Sequence, residues 1–229
     1  MLPKINKNIA EYFADKPYLN TRKIPDKVSK RRKLFCKGQV KIYDNPKMRK
    51  FVTLSVKGYN VYQYDFGIAY PLRTKAYPMF IYQIITTPRR VLALTHYATN
   101  IKDVFESNES LVKLLETDTK HADILLKPFE PQEFLRKDIV QNSFNGLVRT
   151  HDVNTAHEKI VDLFEIWYSG LDNLESDPSN SIVSDYTMWA DQFRNSFYYQ
   201  DYGFNVVSRY LGIKWTKEVF EKYVFEILL

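Results

Sequence analysis

The segment Met48–Tyr70 reads MRKFVTLSVKGYNVYQYDFGIAY and decides the fold. It contains two runs rich in Val, Tyr, Phe, Ile and Thr, Met48–Lys57 and Asn60–Tyr70, on either side of Gly58. β-Branched and aromatic residues favour strands, and a glycine between two such runs is typical of a turn. The connection is too short to contain a crossover helix, so the pattern predicts two antiparallel neighbours.

Three further runs of the same composition flank this pair: Gln39–Asp44, Met79–Thr87 and Val91–Thr99. Turn-forming residues such as Asn-Pro and Pro-Arg-Arg separate them. We therefore expect an antiparallel meander, to which Gly146–Thr150 could add one more strand.

The remainder of the chain favours helices. We expect a short helix and then an arm up to about Lys33, and a polar helix over Ile101–Lys137 that is interrupted near Pro128. Thr155 and Glu158 match a capping box, in which the two side chains satisfy each other's free backbone amides. After a polar loop over Asn173–Ser181, three more helices are predicted, over Ser184–Tyr199, Tyr202–Leu211 and Thr216–Leu229.

A sheet in the first half and helices in the second predict helices packed on the faces of the sheet. The chain of 229 residues is interpreted as one domain, 1–229. Its parts are an N-terminal arm and helix (1–35), a mainly sheet region (39–150) and a mainly helical region (155–229).

Composition limits the classes of function. With Cys36 as its one cysteine, the chain has no internal disulfide, which fits a reducing compartment. It has no run of eighteen apolar residues, so we expect a cytoplasmic protein with no membrane partner. We also expect a monomer that binds no nucleic acid. The 33 Lys and Arg exceed the 27 Asp and Glu by six. The densest basic stretch, Arg22–Lys37, is either a solvated arm or a docking patch for an acidic partner.

Common site signatures are missing from the sequence. It contains no Gly-rich phosphate loop, no G-x-S-x-G motif and no H-E-x-x-H motif. Its four histidines and one cysteine are widely scattered. We therefore expect neither a dinucleotide cofactor nor a bound metal, so redox chemistry would need electrons from outside.

Two segments carry a family resemblance. The first is Asp201–Gly212, DYGFNVVSRYLG, followed by Trp215 and an apolar closing helix. The second is Tyr43–Lys50, YDNPKMRK, followed by a Tyr-Pro pair and, seven residues later, Pro78-Met-Phe80. In order and spacing these segments resemble the ferredoxin-dependent bilin reductases, which reduce linear tetrapyrroles such as biliverdin.

The resemblance implies an α/β fold, a three-layer α/β/α sandwich with a central, mostly antiparallel sheet flanked by helices. In that family the bilin lies between the sheet and the C-terminal helices, and no metal or flavin is bound. Reduced ferredoxin supplies single electrons from outside, acidic side chains supply protons, and the substrate passes through radical intermediates. A basic surface would suit an acidic ferredoxin.

Residue by residue, the family's C-terminal proton donor maps onto Asp201. The family's principal acid on the sheet maps onto Gln83, whose amide cannot donate a proton at a useful rate. A register shift of one would make Asp65 the sheet carboxylate instead, although strand alternation otherwise turns it to the opposite face, where we expect it to be exposed. The neighbouring pocket positions map onto Phe66 and, near it, Leu54.

Four more residues are expected to contact the substrate. Phe80 belongs to the Pro-x-Phe turn of the resemblance. Arg194 and Arg209 lie on the helices expected to cover the ligand, and Arg73 lies at a strand end, so all three could pair with the two propionates.

Three functions remain open. The first is a divergent reductase that uses Asp201 as its proton donor. The second is a non-catalytic relative that binds a tetrapyrrole or another ligand. The third is an interaction protein that uses the basic arm.

Overall fold

A computed structural model of the chain describes residues 1–101, 124–140, 144–172 and 178–227. Within these ranges nine strands form one sheet, and every strand pair in it is antiparallel. The strands are β1 (Asn20–Thr21), β2 (Lys30–Lys33), β3 (Cys36–Asn45), β4 (Met48–Gly58), β5 (Tyr62–Pro71), β6 (Met79–Thr86), β7 (Val91–Ala98), β8 (Leu125–Pro128) and β9 (Gly146–Val148). Their order is β1-β3-β4-β5-β6-β7-β9-β8, and β2 also pairs with β3. The predicted meander is confirmed.

Helices cover both faces of this sheet. They are α1 (Ile9–Ala14), α2 (Asp26–Ser29), α3 (Glu133–Arg136), α4 (Val153–Gly170), α5 (Asn180–Gln200), α6 (Gly203–Leu211) and α7 (Ile213–Val219). A short π-helical turn, Phe220–Val224, continues α7. The layered α/β architecture expected from the sequence is confirmed.

Strand alternation divides the core into two halves. One sheet surface, face A, lies under α1 and α4 and carries an aromatic core that includes Phe51, Tyr82 and Phe164. The other surface, face B, lies under α5, α6 and α7, and its core includes Phe66 and Phe197. Both cores are apolar, as the central strands require, because neither face of these strands meets water.

Three local predictions are corrected. The α4 helix begins at Val153, so Thr155 lies inside it and the capping box is absent. Part of the basic arm forms the edge strand β2, which is exposed along its whole length. The polar helix predicted over Ile101–Lys137 is replaced after residue 124 by β8 and the short α3, while residues 102–123 lie outside the described part of the chain.

Among the residues that the structure describes, no helix has both the length and the apolar character needed to cross a bilayer.

Candidate functional site

A buried polar cluster lies on face B where the sheet meets the junction of α5 and α6. Asp201 is the first residue after α5, and its side chain is 6% exposed. Its Oδ2 accepts a hydrogen bond of 2.9 Å from Gln83 Nε2 on β6, and Gln132 Nε2 lies 3.4 Å from the same oxygen. The structure therefore brings together Asp201 and Gln83, 118 residues apart in sequence.

The second oxygen of this carboxyl group is held by the start of α6. Asp201 Oδ1 accepts a hydrogen bond of 2.7 Å from the backbone N–H of Gly203. The aspartate thus ties the beginning of α6 to the sheet, much as an N-cap residue would. Both oxygens accept from fixed donors, so the orientation of the carboxyl group is set by the fold.

Burial and hydrogen bonding act on Asp201 in opposite directions. Burial disfavours the charged form and raises the pKa of the carboxyl group. Donation from Gln83, Gly203 and Gln132 favours the carboxylate and partly offsets this rise. The net shift is upward, which moves the group toward the range useful for proton donation near neutral pH.

Tyr64 is a polar member of this site that the sequence interpretation missed. Its side chain is 1% exposed, and its hydroxyl has no hydrogen-bond partner among the described residues. A Cβ atom added at Gly203 would collide with both Tyr64 Oη and Asp201 Oδ1, so the two oxygens border the same small space. Alternation with Phe66 on β5 already places Tyr64 on face B, and that signal could have identified it.

Aromatic rings from the C-terminal helices pack over the sheet residues next to this cluster. The ring of Phe66 lies across the β5–β6 pairing from Gln83, with its centroid 6.2 Å from that of Phe197 and 6.1 Å from that of Phe225. Leu54 pairs with Phe66 on the neighbouring strand and is fully buried on the same face. Phe66, Leu54 and Gln83 therefore share face B, as the resemblance implies.

Asp65 lies on the opposite side of the sheet. The β5–β6 register runs from Gln63 to Ala69 without a bulge, so strand alternation turns Asp65 toward face A. Its side chain is 0% exposed and accepts hydrogen bonds from Ser55 Oγ and from Gln63 Nε2, the latter at 2.7 Å. Burial raises its pKa to about 6. The expectation of an exposed carboxylate was wrong, and so was the register shift that would have placed Asp65 with Gln83.

Phe80 also lies away from the Asp201 cluster. It packs on face A with Tyr82, Tyr97, Phe164 and Trp167 at centroid distances of 5.7–6.4 Å. Phe80 and Gln83 are three residues apart on β6, and an odd separation puts two side chains on opposite faces. The structure therefore does not bring Phe80 to the face on which Asp201 and Gln83 meet.

The three candidate arginines fall into two groups. Arg194 on α5 is 4% exposed, and it lines a cavity of about 20 Å³ together with Arg73, Arg49 and Tyr186. A cavity of this size holds about one water molecule. Arg209 is exposed on α6, whose buried side carries Val207 and Leu211 instead. The structure thus joins Arg194 and Arg73 and leaves Arg209 on the surface.

A partly buried charge cluster adjoins this cavity. Lys50 is 1% exposed and its Nζ lies 2.7 Å from Glu226 Oε1, while Arg49 lies 2.8 Å from the other carboxylate oxygen. Arg194 Nη1 is 3.6 Å from Glu226, within ion-pair distance but too far for a hydrogen bond. Its Nη2 also pairs with Asp191. One carboxylate thus faces three cations.

Burial and neighbouring charges act in opposite directions on the pKa of Lys50 and on that of Glu226. Burial lowers the pKa of Lys50 to about 7, although Glu226 opposes that change. Burial alone would raise the pKa of Glu226, but Lys50, Arg49 and Arg194 together lower it. The sequence interpretation did not select Lys50 or Glu226. Alternation with Val52 and Leu54 on β4 places Lys50 on face B and could have identified it as a buried lysine.

Among the described residues, no group of three or more His, Cys, Asp or Glu side chains is arranged to hold a metal ion.

No protein-family model matches the chain, and no curated protein matches it in sequence. Among solved structures it is similar to selenomethionine-labelled phytochromobilin synthase from tomato, in complex with biliverdin. The two chains share a fold. The TM-score is 0.77 at 16% identity, over 90% of this chain and 76% of that one. At this identity the likeness shows the α/β sandwich and not the activity.

Proposed function

We propose that this protein is a divergent bilin reductase that binds a linear tetrapyrrole on face B and reduces it. The observation that carries the proposal is the Asp201–Gln83 pair, buried where the C-terminal helices meet the sheet. Two things support it: the fold is similar to that of an enzyme in complex with biliverdin, and the family resemblance maps two acid positions of the family onto Asp201 and Gln83. The substrate class is biliverdin or a partly reduced bilin.

In the proposed mechanism Asp201 is the proton donor. Its raised pKa keeps the proton available at a higher pH than for an ordinary aspartate. Once the proton has left, three N–H donors, from Gln83, Gln132 and Gly203, would stabilise the carboxylate. Gln83 therefore positions Asp201 and stabilises its ionised form but transfers no proton itself.

The substrate's carboxylates would bind near Arg194 and Arg73. These two side chains border one cavity with Arg49, and planar guanidinium groups match carboxylates well. Glu226 already faces Arg49, Lys50 and Arg194, so a substrate propionate would compete with it for the same cations.

Electrons would come from reduced ferredoxin as single-electron transfers, each coupled to protonation, with no cofactor bound to the protein. The net charge of +6 favours association with an acidic electron donor.

The test is a biliverdin titration followed by anaerobic turnover with ferredoxin, ferredoxin reductase and NADPH. We expect a change in the visible spectrum on binding and a product absorbing at shorter wavelength after reduction. Asp201→Asn keeps the shape of the side chain and should bind bilin but lose about 10²–10⁴-fold in turnover. No spectral change at micromolar bilin would refute the proposal.

Asp65→Asn is the informative comparison, because it makes the same chemical change on face A. Loss of turnover in Asp65→Asn with full activity in Asp201→Asn would reverse the assignment of the proton donor.

A second function is favoured by one observation, the amide at Gln83. Without a sheet acid the protein could bind a tetrapyrrole and not reduce it. In that case the binding spectrum would be the same in Asp201→Asn and wild type, and neither would turn over.

A further inference from the structure

Two β-turns lie side by side at one end of the sheet and present large apolar side chains to water. The first turn, between β2 and β3, carries Leu34 (82% exposed) and Phe35 (68%). The second, between β4 and β5, carries Tyr59 (63%) and Val61 (57%). They account for four of the ten exposed large hydrophobic side chains among the described residues, so this part of the surface is unusually apolar.

The two turns form one unit, which we call the double tip (Leu34, Phe35, Tyr59 and Val61). The backbone N–H of Tyr59 donates to the carbonyl of Phe35 at 2.9 Å. The rings of Phe35 and Tyr59 meet edge to face, with centroids 5.1 Å apart. A groove of about 380 Å³ is lined by residues of both turns. Phe35 and Tyr59 therefore link the two turns through one backbone hydrogen bond and one ring contact.

The backbone of the double tip does not favour the residues found there. Leu34 and Tyr59 both have φ of +46°, in the left-handed region. Glycine and asparagine occupy this region readily, whereas other L-residues pay roughly 1–2 kcal/mol. Leu34 and Tyr59 therefore carry two energetic costs, a left-handed backbone and an apolar side chain in water. Costs of this kind are typical of residues kept for a role in binding.

The two segments that carry the double tip hold positive charge only. The segments 30–37 and 57–61 contain six basic residues and no Asp or Glu, and all six are exposed. The rest of the chain has 27 of the 33 Lys and Arg and all 27 Asp and Glu, which cancel. The charge of these six residues therefore equals the net charge of the whole chain, +6. The six are Lys30, Arg31, Arg32, Lys33, Lys37 and Lys57.

We propose that the double tip docks on an anionic lipid surface, with its apolar side chains inserted at the headgroup boundary and the basic residues against acidic headgroups. Cations next to protruding apolar side chains are typical of proteins that lie on such surfaces. Four of the six cations are lysines, which are depleted at protein–protein interfaces, and their flexible stems reach headgroups easily. The sequence-based expectation of no membrane partner rested on the missing apolar span, which this kind of binding does not need. The inference does not rest on the proposed function, although both draw on the same excess of positive charge.

Vesicle flotation tests it, with phosphatidylcholine alone or mixed with phosphatidylserine. We expect binding only to the mixed vesicles and weaker binding as salt is raised, because salt screens exposed charges. Each basic residue near an anionic leaflet increases partitioning about fivefold. Arg32→Glu/Lys33→Glu removes two of these residues and should therefore reduce binding by at least about 25-fold. Arg136→Glu/Lys137→Glu makes the same charge change at an exposed Arg-Lys pair near the opposite end of the sheet, beside the Ala98–Ile139 bridge, and should have a much smaller effect.

Leu34→Asn separates the apolar contribution from the charge. Asparagine suits the left-handed backbone, so this variant should melt about 2–4 °C higher than wild type. It should also bind mixed vesicles about tenfold more weakly, because a leucine is lost from the lipid boundary. If Leu34 served only to stabilise the fold, replacing it would not raise the melting temperature and weaken vesicle binding at the same time.

Four results would overturn the proposal. Two are losses of the expected binding pattern: no binding to mixed vesicles at low salt, and equal losses in the Arg32/Lys33 and Arg136/Lys137 variants. The other two are unchanged binding of Leu34→Asn, and capture of single-stranded nucleic acid or an acidic protein by the double tip while vesicles stay unbound.

Discussion

The titration of Asp65 tests whether its carboxyl group is buried on face A, as the structure shows. Its carboxyl group is fully buried, and its pKa rises from 3.8 to about 6. The folded state therefore holds a proton between pH 3.8 and 6 that the unfolded state has lost. A raised pKa of this kind contributes stability that is fully present below pH 3.8 and is lost as the pH rises through 6.

The magnitude follows from the size of the shift. One pKa unit corresponds to about 1.4 kcal/mol, so a shift of about two units makes ionised Asp65 cost about 3 kcal/mol at neutral pH. Asp65→Asn cannot ionise and removes this cost, while its amide keeps nearly the shape of the carboxyl group. The difference in unfolding free energy between variant and wild type should shift by about 3 kcal/mol in favour of the variant from pH 3.8 to pH 7.5.

Urea denaturation of both proteins at the two pH values measures this difference, and every other titrating group cancels from it. The control is Asp162→Asn, the same change at a side chain 61% exposed on α4. Its difference from wild type should stay within about 0.5 kcal/mol at both pH values. If Asp65→Asn behaved like this control, the buried environment of Asp65 would be disproved.

Three further predictions concern packing and acid stability. Gly67→Ala should lose about 1–3 kcal/mol of unfolding free energy in urea melts, because a Cβ there would overlap the buried ring of Tyr82; wild-type stability would contradict this contact. Gly203→Ala should lower the melting temperature, because its Cβ would displace Asp201. Under the proposed function it should also slow bilin turnover. A variant normal in both assays would contradict the close approach of Gly203 to Asp201. Burial lowers the pKa of His96 to about 4, so folding loses stability as the pH falls from 6.5 to 4. His96→Leu should lose less over that range in thermal melts, and equal losses would contradict the burial of the histidine.

The central sheet could be predicted from the sequence because its strands obey a simple period. Runs of β-branched and aromatic residues between turns identified β3 to β7 and also β9. The edge strand β2 could not be recognised in this way. It is exposed along its whole length and therefore carries no apolar alternation, so four basic residues appeared to be an arm.

The candidate site was predictable only in part. Asp201 and Gln83 are hydrogen-bonded although they are 118 residues apart in sequence. No local sequence pattern encodes such a contact. Only the order of the two segments that resemble the family suggested it. Phe80 was misplaced although period two forbids it from sharing a face with Gln83. The burial of Asp65 depends on what covers face A, which the residues around it do not reveal.

The side-chain amide of Gln83 limits where Asp201 can carry and release a proton. Its nitrogen can only donate, and it occupies one side of Asp201 Oδ2, while the Gly203 amide occupies Oδ1. Gln132 Nε2 also approaches Oδ2, so a proton on this carboxyl group must sit on a lone pair that none of the three donors uses. An aspartate in place of Gln83 could have exchanged protons with its neighbour in either sense. With glutamine there, a proton that leaves Asp201 cannot pass to residue 83 and has to go to another acceptor, so the amide excludes one of the routes that a second carboxyl group would open.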